Sequence, residues 1–145
     1  MSLAFDPSEL DADDIGQKQA TLEMGHEEAV EHVREVAEAT GFGVPVEFSP
    51  SELLNEKVAA DRDPYYVLGA CNPRMADRAL DETPKQGALF PCNFVIREDR
   101  PGVQRVYHVS IMKIGRLVGL APDTEEWQSI VEDTGELVEE FFERV

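Results

Sequence analysis

Residues 87–109 read "GALFPCNFVIREDRPGVQRVYHV", and this stretch decides the fold class. Two runs rich in β-branched and aromatic residues flank "RPGV" at 100–103. Pro101 fixes one backbone angle and Gly102 permits an unusual one, as a tight reversal requires. The reading is a β-hairpin: a long strand over "GALFPCNFVIRED", interrupted at Pro91, and a return strand over "VQRVYHVSIM". Three further strands are expected upstream, at "QKQATLEM" (17–24), "FGVPVEF" (42–48) and "PYYVLGA" (64–70). Pro45 places the second of these at an edge or a bulge, because proline cannot donate to a ladder. The near-continuous apolar run of the third suits a strand covered on both faces.

Helices separate these strands. "HEEAVEHVREVAEAT" carries Ala29, Val30, Val33, Val36, Ala37 and Thr40 on one face, with Gly41 as the stop. Ser49-Pro50 opens a short helix over "SELLNEK", and Asn72-Pro73 opens another over "PRMADRALDE". The last helix runs over 123–145, capped by Asp123 or Thr124. Trp127, Ile130, Val131, Thr134, Leu137, Val138, Phe141 and Phe142 form its stripe. A hairpin beside interleaved helices, without a strict βαβ period, predicts an α+β domain with helices packed on one face of the sheet. Residues 1–16 are acidic and lack a sustained period. They are expected as a flexible arm with a helical turn at "PSEL", leaving 17–145 as a single domain.

The 145 residues are 42% hydrophobic, enough for a core without disulfides. No apolar run approaches a membrane span, and "MSLAFDPSEL" lacks the basic start of a signal peptide, so a cytoplasmic protein is expected. Thirty acidic residues face thirteen basic ones, for a net charge of −17, and only Lys18, Lys57, Lys85 and Lys113 are lysines. Such a surface repels nucleic acid and anionic lipid. It suits either a basic partner or a solvent of very high salt, where self-repulsion is screened. Dispersed acids with scarce lysine favour the halophilic reading.

The two cysteines lie in "GACNP" (69–73) and "PCN" (91–93), each followed by asparagine. Asn72 suits an N-cap and Pro73 a first helical position, so Cys71 sits just outside a helix N-terminus. The dipole there favours a thiolate, which makes Cys71 a candidate nucleophile. The alternative is a small buried apolar side chain, the common role of a free cysteine. Pro91 implies a bulge or sheet edge, and Asn93 offers an amide to a loop or ligand. Cys71 and Cys92 are 21 positions apart, and His26, His32 and His108 share no ligand spacing, so no metal site and no cofactor are expected. His108 reads as a half-exposed strand residue. Lys57 closes its short helix, where its charge complements the dipole.

"GFGV", "NEK", "YYVLGACNPRMADRAL" and "GALFPCNFVI" occur in the order and spacing of the family known as domain of unknown function 302 (DUF302), which the chain resembles over about residues 17–112. The resemblance implies a curved, mainly antiparallel sheet flanked by helices, similar to the TATA-binding-protein topology. It also implies a homodimer. It brings no established reaction. The matching positions are Gly41, Phe42, Gly43, Glu56, Lys57, Gly69, Cys71, Asn72, Pro73, Pro91, Cys92 and Asn93. Family members commonly carry an Asp-Pro near the end of the last strand, where this chain reads "SIMKIGRLVG". The long acidic terminal helix is a further departure.

Three functions are compatible with these residues. A binding or interaction module would hold a small anionic or polar ligand by Lys57, Cys71, Asn72, Cys92 and Asn93, at a helix N-terminus. A thiol-dependent enzyme or redox protein would use Cys71 with Lys57 as helper. A structural role would leave the motifs only to shape a turn and a bulge. The first is preferred. It requires that the two cysteine segments converge in space.

Overall fold

The hairpin is present, with a later start and an earlier end than the residue pattern suggests. The computed structural model describes Leu3 and residues 5–145. Strand β4 (Cys92–Arg100) pairs antiparallel with β5 (Val103–His108), and Gly102 takes φ +82° in the turn. Residues 87–89, expected as the start of the strand, belong instead to a 3-10 helix over Pro84–Leu89. The ladder begins only where Cys92 faces Ala70, so Pro91 precedes the strand and does not interrupt it. The hairpin's own irregularity falls between Glu98 and Arg100.

Strands β1 (Lys18–Leu22), β2 (Gly43–Phe48) and β3 (Tyr65–Cys71) complete an antiparallel sheet, in the order β1-β5-β4-β3-β2. β2 is an edge strand with a register shift between Gly43 and Val46, where Pro45 withholds a donor. Leu22, Leu68, Ala70, Phe94, Ile96 and Val106 point to one face. Against them pack α1 (His26–Ala39), through Ala29, Val33 and Ala37, and α5 (Glu125–Arg144), through Val138 and Phe141. Each large side chain buried there contributes roughly 1.5–3 kcal/mol. Phe94 is the hub, edge-on to Phe42 at 5.5 Å and stacked on Phe141 at 4.1 Å. The α+β class and the one-sided helix layer are as expected.

Helix α2 (Pro50–Lys57) is capped by Ser49, whose hydroxyl accepts from the Glu52 N–H at 3.2 Å. Helix α3 (Pro73–Glu82) follows β3 directly. The segment after the hairpin departs most from expectation. β5 ends at His108, and α4 (Ile111–Leu117) occupies residues read as the end of a strand. Ser110 starts it by accepting from the Lys113 N–H at 3.1 Å. Ile111 and Met112 then bury with Trp127 and Ile130 in a second core cluster. The Trp127 indole donates to the Met112 carbonyl at 3.1 Å.

The acidic stretch expected as an arm carries 3-10 turns at Pro7–Glu9 and Ala12–Ile15. The second is tied to α4: Ser110 N–H donates to the Ile15 carbonyl at 2.8 Å, and Lys113 Nζ donates to that of Asp13 at 2.6 Å. No helix among the described residues is long and apolar enough to cross a membrane.

Candidate functional site: a cavity between the two cysteine segments

The end of β3 and the start of α3 are joined by one residue, Asn72, with two tasks. Asn72 is the N-cap: its Oδ1 accepts from the Met75 N–H at 3.1 Å, and its Nδ2 donates to the Gly41 carbonyl at 2.9 Å. One amide therefore fixes both the helix start and the loop after α1, where Gly41 takes φ +95°. Pro73 has no N–H, and Met75 has given its own to Asn72. The N-terminus of α3 is thus mostly satisfied from within, which leaves little for an external anion.

Cys71 and Cys92 do converge. The register pairs Ala70 with Cys92, which places Cys71 diagonally across from Cys92. Both thiols are free and both line one cavity of about 200 Å³. Its walls are Phe42 and Val46 on one side, Met75 and Ala76 of α3 on another, and Phe90, Pro91 and Met112 on a third. The two are not bridged.

The thiols behave oppositely to a helix-activated cysteine. Burial raises the Cys71 pKa above its ordinary value. Burial, with the nearby Cys71 second, pushes Cys92 up to about 12. Withdrawal from water disfavours the charged form. The expected thiolate at Cys71 is therefore replaced by a neutral thiol in an apolar wall.

The remaining expected site residues lie elsewhere. Asn93 is exposed and faces outward opposite Gly69; its side chain makes no hydrogen bond among the described residues, while its carbonyl accepts from His108 Nδ1 at 2.8 Å. Lys57 is exposed at the end of α2, 3.7 Å from Glu56, and does not line the cavity. The cavity's one polar feature besides Asn72 comes from α5. Thr134 forms part of the wall, is 5% exposed, and its hydroxyl has no hydrogen-bond partner among the described residues. A lone hydroxyl within an apolar helical stripe was the available signal for it. Met112 was hidden because its segment reads as strand. Among the described residues no group of three or more His, Cys, Asp or Glu side chains is placed to hold a metal ion.

His108 also departs from expectation. It is 4% exposed, on the same face as Gln104 and Val106, and stacks on Phe94 at 4.8 Å. Its pKa is lowered by burial.

Comparison with known proteins gives the chain its place. A search of curated proteins finds no match. Among solved structures, an uncharacterised conserved DUF302 protein from Bacillus stearothermophilus is similar with a TM-score of 0.76 and 24% identity, over 88% of this chain and 96% of that one. That likeness concerns the fold. The model of the family described as domain of unknown function DUF302 matches residues 18–145. The cavity between "GACNP" and "PCN" thus lies within a matched domain that covers all five strands and five helices, and the chain belongs to the DUF302 family.

Proposed function

We propose that this DUF302 domain is a small-molecule binding module whose pocket is the cavity between the two cysteine segments. The observation that carries the reading is Thr134: a buried hydroxyl without a partner, in walls that are otherwise almost wholly apolar. An orphaned buried hydroxyl costs about 1–3 kcal/mol, which a ligand with one hydrogen-bonding group would recover. An apolar cavity of this size accommodates a single aromatic ring. The ligand is accordingly a neutral, ring-sized molecule with one polar substituent, not a free anion. Cys71 and Cys92 serve as soft, apolar wall.

Phenol and toluene test this. Methyl-labelled Met75 and Met112 report occupancy by NMR. Both probes are expected to shift these methyls saturably, with phenol binding roughly three- to tenfold tighter through one hydrogen bond. Thr134→Val should abolish the preference and leave toluene binding unchanged. Equal binding of both probes to the unaltered protein, or none of either, would refute the reading.

The domain acts as a homodimer in this proposal. Val46 and Phe48, 57% and 53% exposed on edge strand β2, supply apolar surface for a second copy. Sedimentation velocity at several concentrations checks it. The surface charge is read as an adaptation to high salt, and the compartment as the cytoplasm. Catalysis by Cys71 ranks below binding, because its thiol is held protonated.

A further inference from the structure

A second concavity, of about 430 Å³, runs along α5 and has Thr134 in common with the first cavity. His108 forms its deep wall. The residue is 4% exposed, and its Nδ1 lies 2.8 Å from the Asn93 carbonyl. A carbonyl only accepts, so Nδ1 carries the proton, and in the neutral ring Nε2 presents a lone pair. That nitrogen has no partner among the described residues. Burial lowers the ring's pKa, so the lone pair is retained at neutral pH.

The groove's charge is set by four elements. Helix α5 contributes Glu132, Glu136 and Glu139, the N-terminal turn contributes Asp13, and β1 and α4 contribute Lys18 and Lys113. Four carboxylates thus face two ammonium groups, and Lys113 is already engaged with the Asp13 carbonyl at 2.6 Å. Ser110 adds a hydroxyl whose oxygen accepts from the Lys113 N–H, leaving its proton free to donate. The groove therefore presents a neutral acceptor at its floor and a net negative rim.

The geometry points to a second binding site in this groove, for a small organic primary ammonium compound such as an amino alcohol, whose N–H group donates to His108 Nε2 while its charge is balanced by Glu132, Glu136 and Glu139. Each element of that arrangement discriminates. An anion meets the carboxylates and a lone pair. A quaternary ammonium carries the charge without a proton to donate. A neutral alcohol leaves the rim uncompensated. The two cavities share Thr134, but the groups invoked here, His108 and the α5 carboxylates, are not part of the cavity at the cysteines.

The test uses the full chain at about pH 8, where a histidine of ordinary pKa is neutral. Methylammonium and tetramethylammonium are titrated in parallel, and the 15N resonance of His108 Nε2 is followed. Methylammonium should move that resonance saturably and tetramethylammonium should not. His108→Phe retains a ring against Phe94 and should lose the saturable calorimetric signal for methylammonium. Glu136→Gln should weaken binding several-fold. The proposal is overturned if methylammonium leaves Nε2 unmoved, or if the two ions act alike, which would reduce the groove to diffuse acidic attraction. The wild-type resonance decides the matter even if His108→Phe does not fold.

Discussion

Gly69 has no room for a side chain. A Cβ there would lie 2.5 Å from Val46 Cγ2, 2.8 Å from Pro91 Cγ and 3.0 Å from the Val46 carbonyl oxygen. The glycine of "GACNP" is thus required by the close approach of two neighbouring segments. Gly69→Ala should destabilise the fold by about 1–3 kcal/mol in urea unfolding, as overpacking does. The thiols make a second prediction at this scale. Iodoacetamide should label Cys71 slowly, with a rate still rising above the ordinary thiol pKa of 9.0, and should spare Cys92 until the chain unfolds. Between 9.0 and about 12 the folded state keeps a Cys92 proton that the unfolded chain has lost, so stability should fall as pH rises through that window. Cys92→Ala, followed by urea unfolding against pH, should flatten that slope. For His108 the sign is opposite in direction of pH. Its folded pKa lies below 6.5, so the unfolded chain binds the extra proton first and stability should decline on acidification below 6.5. Urea midpoints for the unaltered chain and His108→Gln, compared at several acidic pH values, check this.

Helix α5 contains a glycine that packing does not demand. A Cβ at Gly135 meets nothing within 4 Å. Gly135→Ala should therefore raise stability by about 1 kcal/mol, seen as a higher melting temperature. Long periodic elements such as α1 and α5 were legible because their stripes repeat over several turns. Shorter ones were not. Helix α4 follows the hairpin so closely that Val109, Ser110, Ile111 and Met112 read as more strand; the capping serine was the discriminating signal. The same applies to Pro84–Leu89, where apolar residues before Pro91 resemble a strand but fold as a 3-10 turn. The burial of His108 could have been deduced from alternation, since Val106 two positions earlier is core.

At the scale of the molecule, thirty acids against thirteen bases create repulsion that only counterions relieve. Lowering salt from molar to millimolar concentration should depress the melting temperature, and uncharged sucrose should not substitute fully for salt. Calorimetric scans across a salt series check this. The convergence of the two cysteine segments was inferable only as a requirement. Their meeting depends on β3 and β4 being neighbours in a particular register, which no local pattern specifies. The approach of Thr134 of α5 to this cavity was further out of reach, because it joins residues separated by most of the domain.

The sheet order has a kinetic meaning as well. Lys18 pairs with His108, so β1, first of the strands to leave a ribosome, finds its neighbour only after nearly all the others exist. Closing so long a loop is entropically slow, and the nascent edge of β5 stays open until it happens. Chains stalled at that point would offer this edge to one another, making late docking of the first strand the step at which misassembly competes with completion.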